Sequence, residues 1–214
     1  RDLHLSIRRQ RQMCIRDRLY NGSFNQPDFK LTQPDELGPA VEKWEDGART
    51  NGDHNEFEWW YLDAKLEDGS LFVCYFYKVH FIRDRFFIGM NYSSKEHGEI
   101  FKLKYFKKNE VSFASDSCNV AMRNNYFIGN LKNYKISLDP YDFDGFGVDI
   151  DLSARLKPYR PQDGVIKAEE DFFAWLAAVP DGGISLKLNI DGKESQLKGD
   201  GYHDHNWGNI PLQR

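Results

Sequence analysis

From residue 57 onward the chain is a succession of apolar, strand-like segments separated by turns, and this pattern restricts the fold more than any other feature. The clearest pair is Phe57–Leu66 and Leu71–Phe81, joined by Asp68-Gly69, because Asp-Gly supplies the positive φ angles of a tight hairpin. Val148–Leu156 alternates apolar and polar residues, as a half-buried strand does. Further strands are predicted at Arg85–Tyr92, Glu99–Phe106, Val111–Val120, Tyr126–Leu138, Glu170–Val179, Ile184–Ile190 and Glu194–Tyr202, with a turn at Pro180-Asp181-Gly182-Gly183. About ten strands at this spacing, without an amphipathic helix of three turns or more, predict an all-β antiparallel barrel or sandwich.

The first 56 residues lack this pattern. Residues 1–18 contain six Arg and two Asp, and the run Arg8–Arg18 resembles a translated sequencing adaptor, so we interpret 1–18 as a non-native arm. The alternatives are an Arg-rich targeting peptide, or a basic arm for nucleic acid or acidic lipid. Residues 19–56 are rich in Pro and Gly and are expected to be an irregular lead-in. The barrel domain is then expected at 57–209, as a fragment of a longer protein.

Composition excludes several classes of function. The 29 basic and 33 acidic residues give a net charge of −4, so no nucleic-acid partner is expected. The three cysteines form no Cys-x-x-Cys pair, and no apolar run is long enough for a transmembrane helix. Aromatic residues make up 15% of the chain, which predicts either an aromatic core or an apolar ligand cavity.

Polar and aromatic residues are concentrated in two segments, Glu56–Tyr61 and Gly201–Asn209. If the second segment is a strand, its period of two puts His203 and His205 on one face and Asp204 on the other. His-x-His is a zinc half-site, but no spaced Cys or His-Glu pattern supplies further ligands. We therefore expect neither a metal nor another cofactor.

The same segments offer groups for acid–base chemistry. A carboxylate held between imidazoles and near indoles can have its pKa moved by desolvation and by neighbouring charges. Asp204, His203, His205 and Glu58 are therefore candidate proton donors or acceptors. The alternative is a polar plug of hydrogen-bonded side chains at a barrel mouth. Nucleophilic catalysis has little support, since no Gly-x-Ser-x-Gly occurs.

Both segments resemble motifs of one known family. Glu58-Trp59-Trp60-Tyr61, followed by a strand and Asp68-Gly69, resembles the amino-terminal signature of AttH-like, lipocalin-type proteins. Phe173-Ala174-Trp175, with Gly201-Tyr202-His203-Asp204-His205-Asn206-Trp207-Gly208, resembles the signature of hydroxyneurosporene synthases, the carotenoid 1,2-hydratases. Fungal lipocalin-like Diels–Alderases are similar too. The resemblance implies a lipocalin- or calycin-like barrel, here the first of two, with a carboxy-terminal barrel absent from this chain.

The resemblance also implies a function. In the hydratase branch, a hydro-lyase adds water across a terminal isoprenoid double bond, and the family's His-x-Trp pair matches His205 and Trp207. Residue chemistry adds Asp204 as the acid, so the expected catalytic residues are His205, Trp207 and Asp204. The expected ligand-binding residues are Glu58, Trp59, Trp60, Tyr61, Tyr202, His203 and Asn206.

The expected ligand is an apolar small molecule, either an isoprenoid, a carotenoid or another polyene, and a membrane is a conceivable source of it. Two alternatives stay open. The first is a pericyclase that folds a polyene into a reactive geometry, where proximity supplies much of the rate. The second is a non-catalytic lipid or pigment carrier, which requires only the cavity. The fragment by itself is expected to be inactive, whether the whole protein is a hydratase or a pericyclase.

Overall fold

The structure is a computed structural model that describes residues 38–53, 55–81, 83–161, 164–168 and 171–210. Twelve strands follow one another along this part of the chain. They are β1 Glu56–Leu66, β2 Leu71–His80, β3 Asp84–Ser94, β4 Gly98–Phe106, β5 Val111–Phe113, β6 Asn119–Met122, β7 Asn125–Gly129, β8 Asn133–Leu138, β9 Phe146–Ala154, β10 Val165–Ala168, β11 Asp171–Ile190 and β12 Lys193–Gly208. Two short 3-10 helices lie at Lys43–Asp46 and Lys108–Glu110, and none of the helices in the described ranges is long and apolar enough to cross a membrane.

All strand pairs are antiparallel, and eleven strands form one path in the order β4-β3-β2-β1-β12-β11-β9-β8-β7-β6-β5, with β10 paired to β11. The sheet curls into a nearly closed barrel whose free edges are β4 and β5. This arrangement confirms the predicted all-β, lipocalin-type barrel. The predicted first hairpin is also present: β1 ends at Leu66, β2 begins at Leu71, and Gly69 between them has a φ of 84°.

The barrel interior is filled with side chains from both halves of the sheet. Phe72 stacks on Phe146 with ring centroids 6.4 Å apart, and Phe76 meets Phe127 edge-on at 5.8 Å. These rings are at most 2% exposed, so the inward aromatics of the first hairpin belong to a packed core. Burial of aromatic and aliphatic area of this kind is the main stabilising contribution to the fold.

Two long predicted strands are each divided in the structure. The segment predicted as Val111–Val120 ends as a strand at Phe113, and pairing resumes only at β6. The segment predicted as Tyr126–Leu138 is interrupted between β7 and β8, where Leu131 adopts a φ of 69°. Both predictions of one continuous strand were wrong: the first break falls at the polar run Ser115-Asp116-Ser117, and the second at Leu131, whose apolar side chain continued the strand pattern.

The predicted turn at residues 180–183 was also wrong. β11 runs without a break from Asp171 to Ile190, with register irregularities between Leu176 and Gly182. Pro180 lies within this irregular stretch, where the missing N–H of a proline removes no regular ladder bond. The strand thus changes its register here, and the chain does not reverse direction.

The lead-in crosses the barrel next to β1 and β12. Glu45 and Asp46, in the first 3-10 helix, are only 3% and 1% exposed. The indole N–H of Trp60 donates to the carbonyl of Asp46 at 2.9 Å, and the backbone N–H of Ala48 donates to the carbonyl of Ala114 at 2.7 Å. The lead-in therefore brings carboxylates into the barrel from outside the strand pattern.

Candidate functional site

The two motifs lie side by side in the sheet. β1 pairs with β12 so that Trp60 is opposite His205, Tyr61 is opposite Asp204, and Glu58 is opposite Trp207. This register explains why both segments are rich in polar and aromatic residues: they form one central patch of the barrel wall.

The sheet divides the expected site residues between its two faces. Glu58, Trp60, His203 and His205 are fully buried on the inner face, and Trp207 is partly buried against the same core. On the outer face lie the remaining expected residues: Trp59, Tyr61, Tyr202, Asp204 and Asn206. The predicted segregation of the two histidines from Asp204 is confirmed. The expected catalytic residues are consequently not one constellation, since Asp204 faces away from His205 and Trp207.

His205 is held on the inner face by rings and by a carboxylate. Its imidazole stacks on Trp60 with centroids 4.6 Å apart and contacts Trp207 at 4.7 Å. Its Nε2 lies 2.8 Å from Glu58 Oε1, and its Nδ1 lies 3.3 Å from the Glu45 carbonyl oxygen. Both ring nitrogens thus lie close to hydrogen-bond acceptors of the lead-in and of β1.

Glu58 is a buried anion with cationic partners. Lys78 Nζ lies 2.6 Å from its Oε2, the Arg49 backbone N–H donates to Oε1 at 2.7 Å, and the Thr50 hydroxyl donates to Oε2 at 2.7 Å. Burial acts to raise the pKa of Glu58, but the hydrogen bond and charge of His205 and the charge of Lys78 outweigh it, so the pKa falls to about 2. This carboxylate is therefore an anchor for the lead-in and for His205.

His203 belongs to a second buried polar group. Its Nδ1 lies 2.8 Å from the Tyr61 carbonyl oxygen, and its Nε2 lies 3.3 Å from Asp46 Oδ2. The hydroxyl of Tyr134 also donates to Asp46 Oδ2. Burial would lower the pKa of His203, but the charge and hydrogen bond of Asp46 raise it above its usual value. Cys118 lies beside this group, with its thiol buried.

Sequence reasoning missed the partners of these buried groups. Asp46, Lys78, Cys118 and Tyr134 carried no motif in the sequence. In the structure the Cys118 thiol belongs to a group with Asp46 and His203. Long-range pairing across 157 residues, as between Asp46 and His203, leaves no local pattern to find. His80, the histidine of β2, lies 2.9 Å from Asp84, and His54 lies outside the described residues.

Asp204 has three donors on the outer face. Its Oδ2 accepts hydrogen bonds from the Tyr202 hydroxyl at 2.8 Å and from the Trp175 indole N–H at 3.2 Å, and its Oδ1 accepts one from the Asn206 amide at 2.6 Å. Burial raises the pKa of Asp204 to about 6, against the lowering effect of these donors and of His203. The carboxyl is thus held rigidly while its residue stays partly exposed.

Aromatic rings continue from this carboxyl across the outside of the sheet. Trp59 stacks on Tyr77 with centroids 5.1 Å apart, Tyr77 stacks on Phe87 at 4.8 Å, and Phe87 meets Tyr105 at 5.4 Å. The ladder follows directly from the register, because these residues pair in turn across β1, β2, β3 and β4. We call these four rings, with Trp175, the outer aromatic face. Tyr105 at its end is 55% exposed, and an exposed aromatic patch of this kind is typical of an interaction site.

Comparison with known proteins supports the resemblance that the motifs indicated. No family model matches the chain. Hydroxyneurosporene dehydrogenase from Chlorobaculum tepidum is 24% identical over 192 residues, covering 73% of this chain and 50% of that protein. A crystal structure of an AttH from Nitrosomonas europaea covers 82% of this chain and 57% of that chain, with a TM-score of 0.66 and 17% identity. Kievitone hydratase from Nectria haematococca covers 87% and 57%, with a TM-score of 0.53 and 14% identity.

The topology and the structural matches define the class of fold: this chain is a lipocalin-type β-barrel, similar in fold to AttH. Within that class its sequence is similar to the hydroxyneurosporene dehydrogenase of C. tepidum. The chain spans about half the length of that curated relative. The structural matches establish the fold of the chain.

Proposed function

We propose that the whole protein adds water to a carbon–carbon double bond of an apolar, isoprenoid-type substrate, and that Asp204 gives the proton. The observation that carries this proposal is the Asp204 carboxyl, held by Tyr202, Trp175 and Asn206 beside the outer aromatic face. The names of two relatives, a hydratase and a protein of hydroxyneurosporene metabolism, agree with a substrate of this kind.

The chemistry fits the residue types. Asp204 transfers its proton to the less substituted alkene carbon, and the π bond becomes a C–H bond and a tertiary cation. Aromatic faces nearby stabilise a cation. The three hydrogen bonds stabilise the carboxylate that is left, because charge-assisted hydrogen bonds are about twice as strong as neutral ones. Water then attacks the cation, and its surplus proton returns to Asp204, so the acid is regenerated.

His205 and Trp207 have a positioning role in this proposal. His205 is fully buried on the opposite face of β12, where Trp60, Trp207 and Glu58 fix it. These contacts on the inner face of β12 hold its backbone in place, and the backbone in turn determines the position of the Asp204 carboxyl on the outer face. Enzymes lose activity when such a carboxyl moves by as little as about 1 Å.

The outer aromatic face requires a cover to exclude water from the cation. We propose that a second barrel supplied by the rest of the protein covers it, with the apolar ligand lying between the two. The relatives are about twice as long as the part that this chain matches, and the face carries exposed rings. An apolar ligand of this kind can be taken up from a membrane.

The test is turnover of an acyclic carotenoid such as neurosporene by the complete protein, followed by product mass. We expect a gain of one water, lost in Asp204→Asn while binding persists. Asp200→Asn is the matched control, because Asp200 lies on the same strand and pairs with Arg155 at 2.6 Å. His205→Ala is expected to lower turnover without abolishing it. Full turnover in Asp204→Asn would overturn the proposal. A rearranged product of unchanged mass would indicate a pericyclase, and binding without product a carrier.

A further inference from the structure

We propose that Asp46, Cys118 and His203 form a binding site for a divalent transition-metal ion inside the barrel, with zinc the ion best suited to the donors. One oxygen, one sulfur and one nitrogen atom of these side chains lie within 4.8 Å of one another. All three residues are at most 1% exposed. The site comes from three distant segments: the lead-in, the chain just before β6, and β12.

An unsatisfied carboxylate oxygen points to a missing ligand. Asp46 Oδ1 is buried and has no hydrogen-bond partner, with His205 Nδ1 at 3.7 Å as its nearest cationic group, whereas Oδ2 is bound by Tyr134 and faces His203. A buried polar atom without a partner costs about 1–3 kcal/mol. Native proteins seldom leave such an atom unpaired, so each case calls for an explanation. A cation bound by Oδ1 would remove the cost.

His203 is oriented as metal-binding histidines are. Its Nδ1 lies 2.8 Å from the Tyr61 carbonyl oxygen, so Nδ1 carries a hydrogen, and Nε2 is the ring nitrogen that faces Asp46 and Cys118. Such a hydrogen bond to a backbone carbonyl fixes the tautomer of a ligating imidazole. The Tyr134 hydroxyl, bound to Asp46, gives the carboxylate a similar support.

The donor set matches zinc in type and in spacing. Thiolate, imidazole and carboxylate are the three ligand classes that zinc accepts, at about 2.0–2.3 Å. Tetrahedral bonds of that length put neighbouring ligand atoms roughly 3.4 Å apart. The three ligand atoms lie within 4.8 Å of one another, so they have to approach by about 1 Å, and the Cys118 thiol has to leave the Phe127 carbonyl oxygen, 3.6 Å away, to which it donates. In a site of low dielectric, the dication offsets the charges of the carboxylate and of the thiolate.

An open cavity adjoins the site. Cys118 and Tyr134 line this cavity of about 810 Å³ between the lead-in and β6 to β9, together with Lys43, Asn130 and Leu152. Because the ligands themselves are buried, an ion would enter from the cavity when the wall around Cys118 opens. The sequence contains no local pattern of metal ligands, and for that reason no metal was expected. The three residues are far apart along the chain and come together only in the folded barrel.

The experiment uses tag-free chain in a Cys14→Ser background, stripped with a chelator and titrated with Co²⁺, then Zn²⁺. We expect one Co²⁺ per chain with a thiolate charge-transfer band, displaced by Zn²⁺. Cys118→Ala should abolish the band and weaken binding by about 100-fold or more, since even outer partners of a metal site are worth about 10–100-fold. Cys74→Ala, which removes an equally buried thiol, is the matched control and should bind normally.

A second readout covers the case in which Cys118→Ala does not fold. Zn²⁺ should raise the melting temperature of the Cys14→Ser chain, and Mg²⁺, which does not favour thiolate or imidazole ligands, should not. Asp46→Asn should weaken the effect of Zn²⁺. Binding of Co²⁺ by Cys118→Ala with unchanged affinity would overturn the proposal. So would the lack of any stoichiometric binding, or a melting temperature that Zn²⁺ does not change.

Discussion

Replacing Glu58 by Gln tests the buried ion network that joins β1, β2, β12 and the lead-in. The pKa of Glu58 falls from 4.5 to about 2 on folding, because His205 and Lys78 outweigh its desolvation. At about 1.4 kcal/mol per pKa unit, this difference corresponds to about 3 kcal/mol of stability. Removing one partner of a buried pair also leaves the other uncompensated, which costs about 3–5 kcal/mol. We therefore expect Glu58→Gln to lose about 3 kcal/mol of unfolding free energy at neutral pH.

The sign of the pH dependence makes this prediction specific. A carboxyl whose pKa is depressed in the folded state contributes stability above its unfolded pKa and loses it as the pH falls through the folded value. The gap between the original chain and Glu58→Gln should therefore be full above about pH 5 and close towards about pH 2. This difference in unfolding free energy can be measured by urea unfolding, followed by tryptophan fluorescence, at several pH values. Glu67→Gln, in the exposed turn after β1, is the control. A gap that stays constant with pH, or one below about 1 kcal/mol at neutral pH, would refute the reasoning.

Three further outcomes follow from packing. Gly129→Ala should destabilise the fold by about 1–3 kcal/mol, because the added methyl group would collide with the ring of Tyr134. In the control Gly183→Ala the added methyl group meets nothing within 4 Å, so its stability should be nearly unchanged. The urea midpoints of the two variants measure the difference. Trp60→Phe should cost about 1–3 kcal/mol by leaving a buried lead-in carbonyl without its indole donor, visible as a lower melting temperature. The chain alone should self-associate through the outer aromatic face, and Tyr105→Ser should reduce the associated fraction in sedimentation; a monomer at all concentrations before any substitution would contradict this.

Local chemistry allowed much of the barrel to be predicted. The first hairpin follows from Asp68-Gly69, and β9 follows from its alternation, since both signals act within a few residues. The stretch around Pro180 could not be predicted in the same way. Proline and glycine there have the composition of a turn, yet tertiary pairing with β9 and β12 holds the segment extended with an irregular register.

The candidate site, too, could be predicted from the sequence only in part. The alternation of β12 predicted that Asp204 and His205 would face opposite ways, because strand geometry alone decides that. The two ion partners differ in this respect. Lys78 lies opposite Glu58 in the β1–β2 hairpin, so their contact follows from the register of a local turn. Asp46 meets His203 only once the lead-in has packed against the barrel, and nothing in its own neighbourhood marks it.

The pairing of β1 with β12 has a consequence for how the chain acquires its structure. β1 hydrogen-bonds to β12, the last strand of the described residues, with Phe57 opposite Gly208, so this central contact of the sheet closes a loop of most of the chain. Contacts of high sequence separation make folding slow. On the ribosome the β1–β4 meander can form early, but β1 cannot complete its hydrogen bonds on the other side until β12 has been synthesised. Until then, β1 is an unpaired edge, and this interval is when a chaperone would be expected to act.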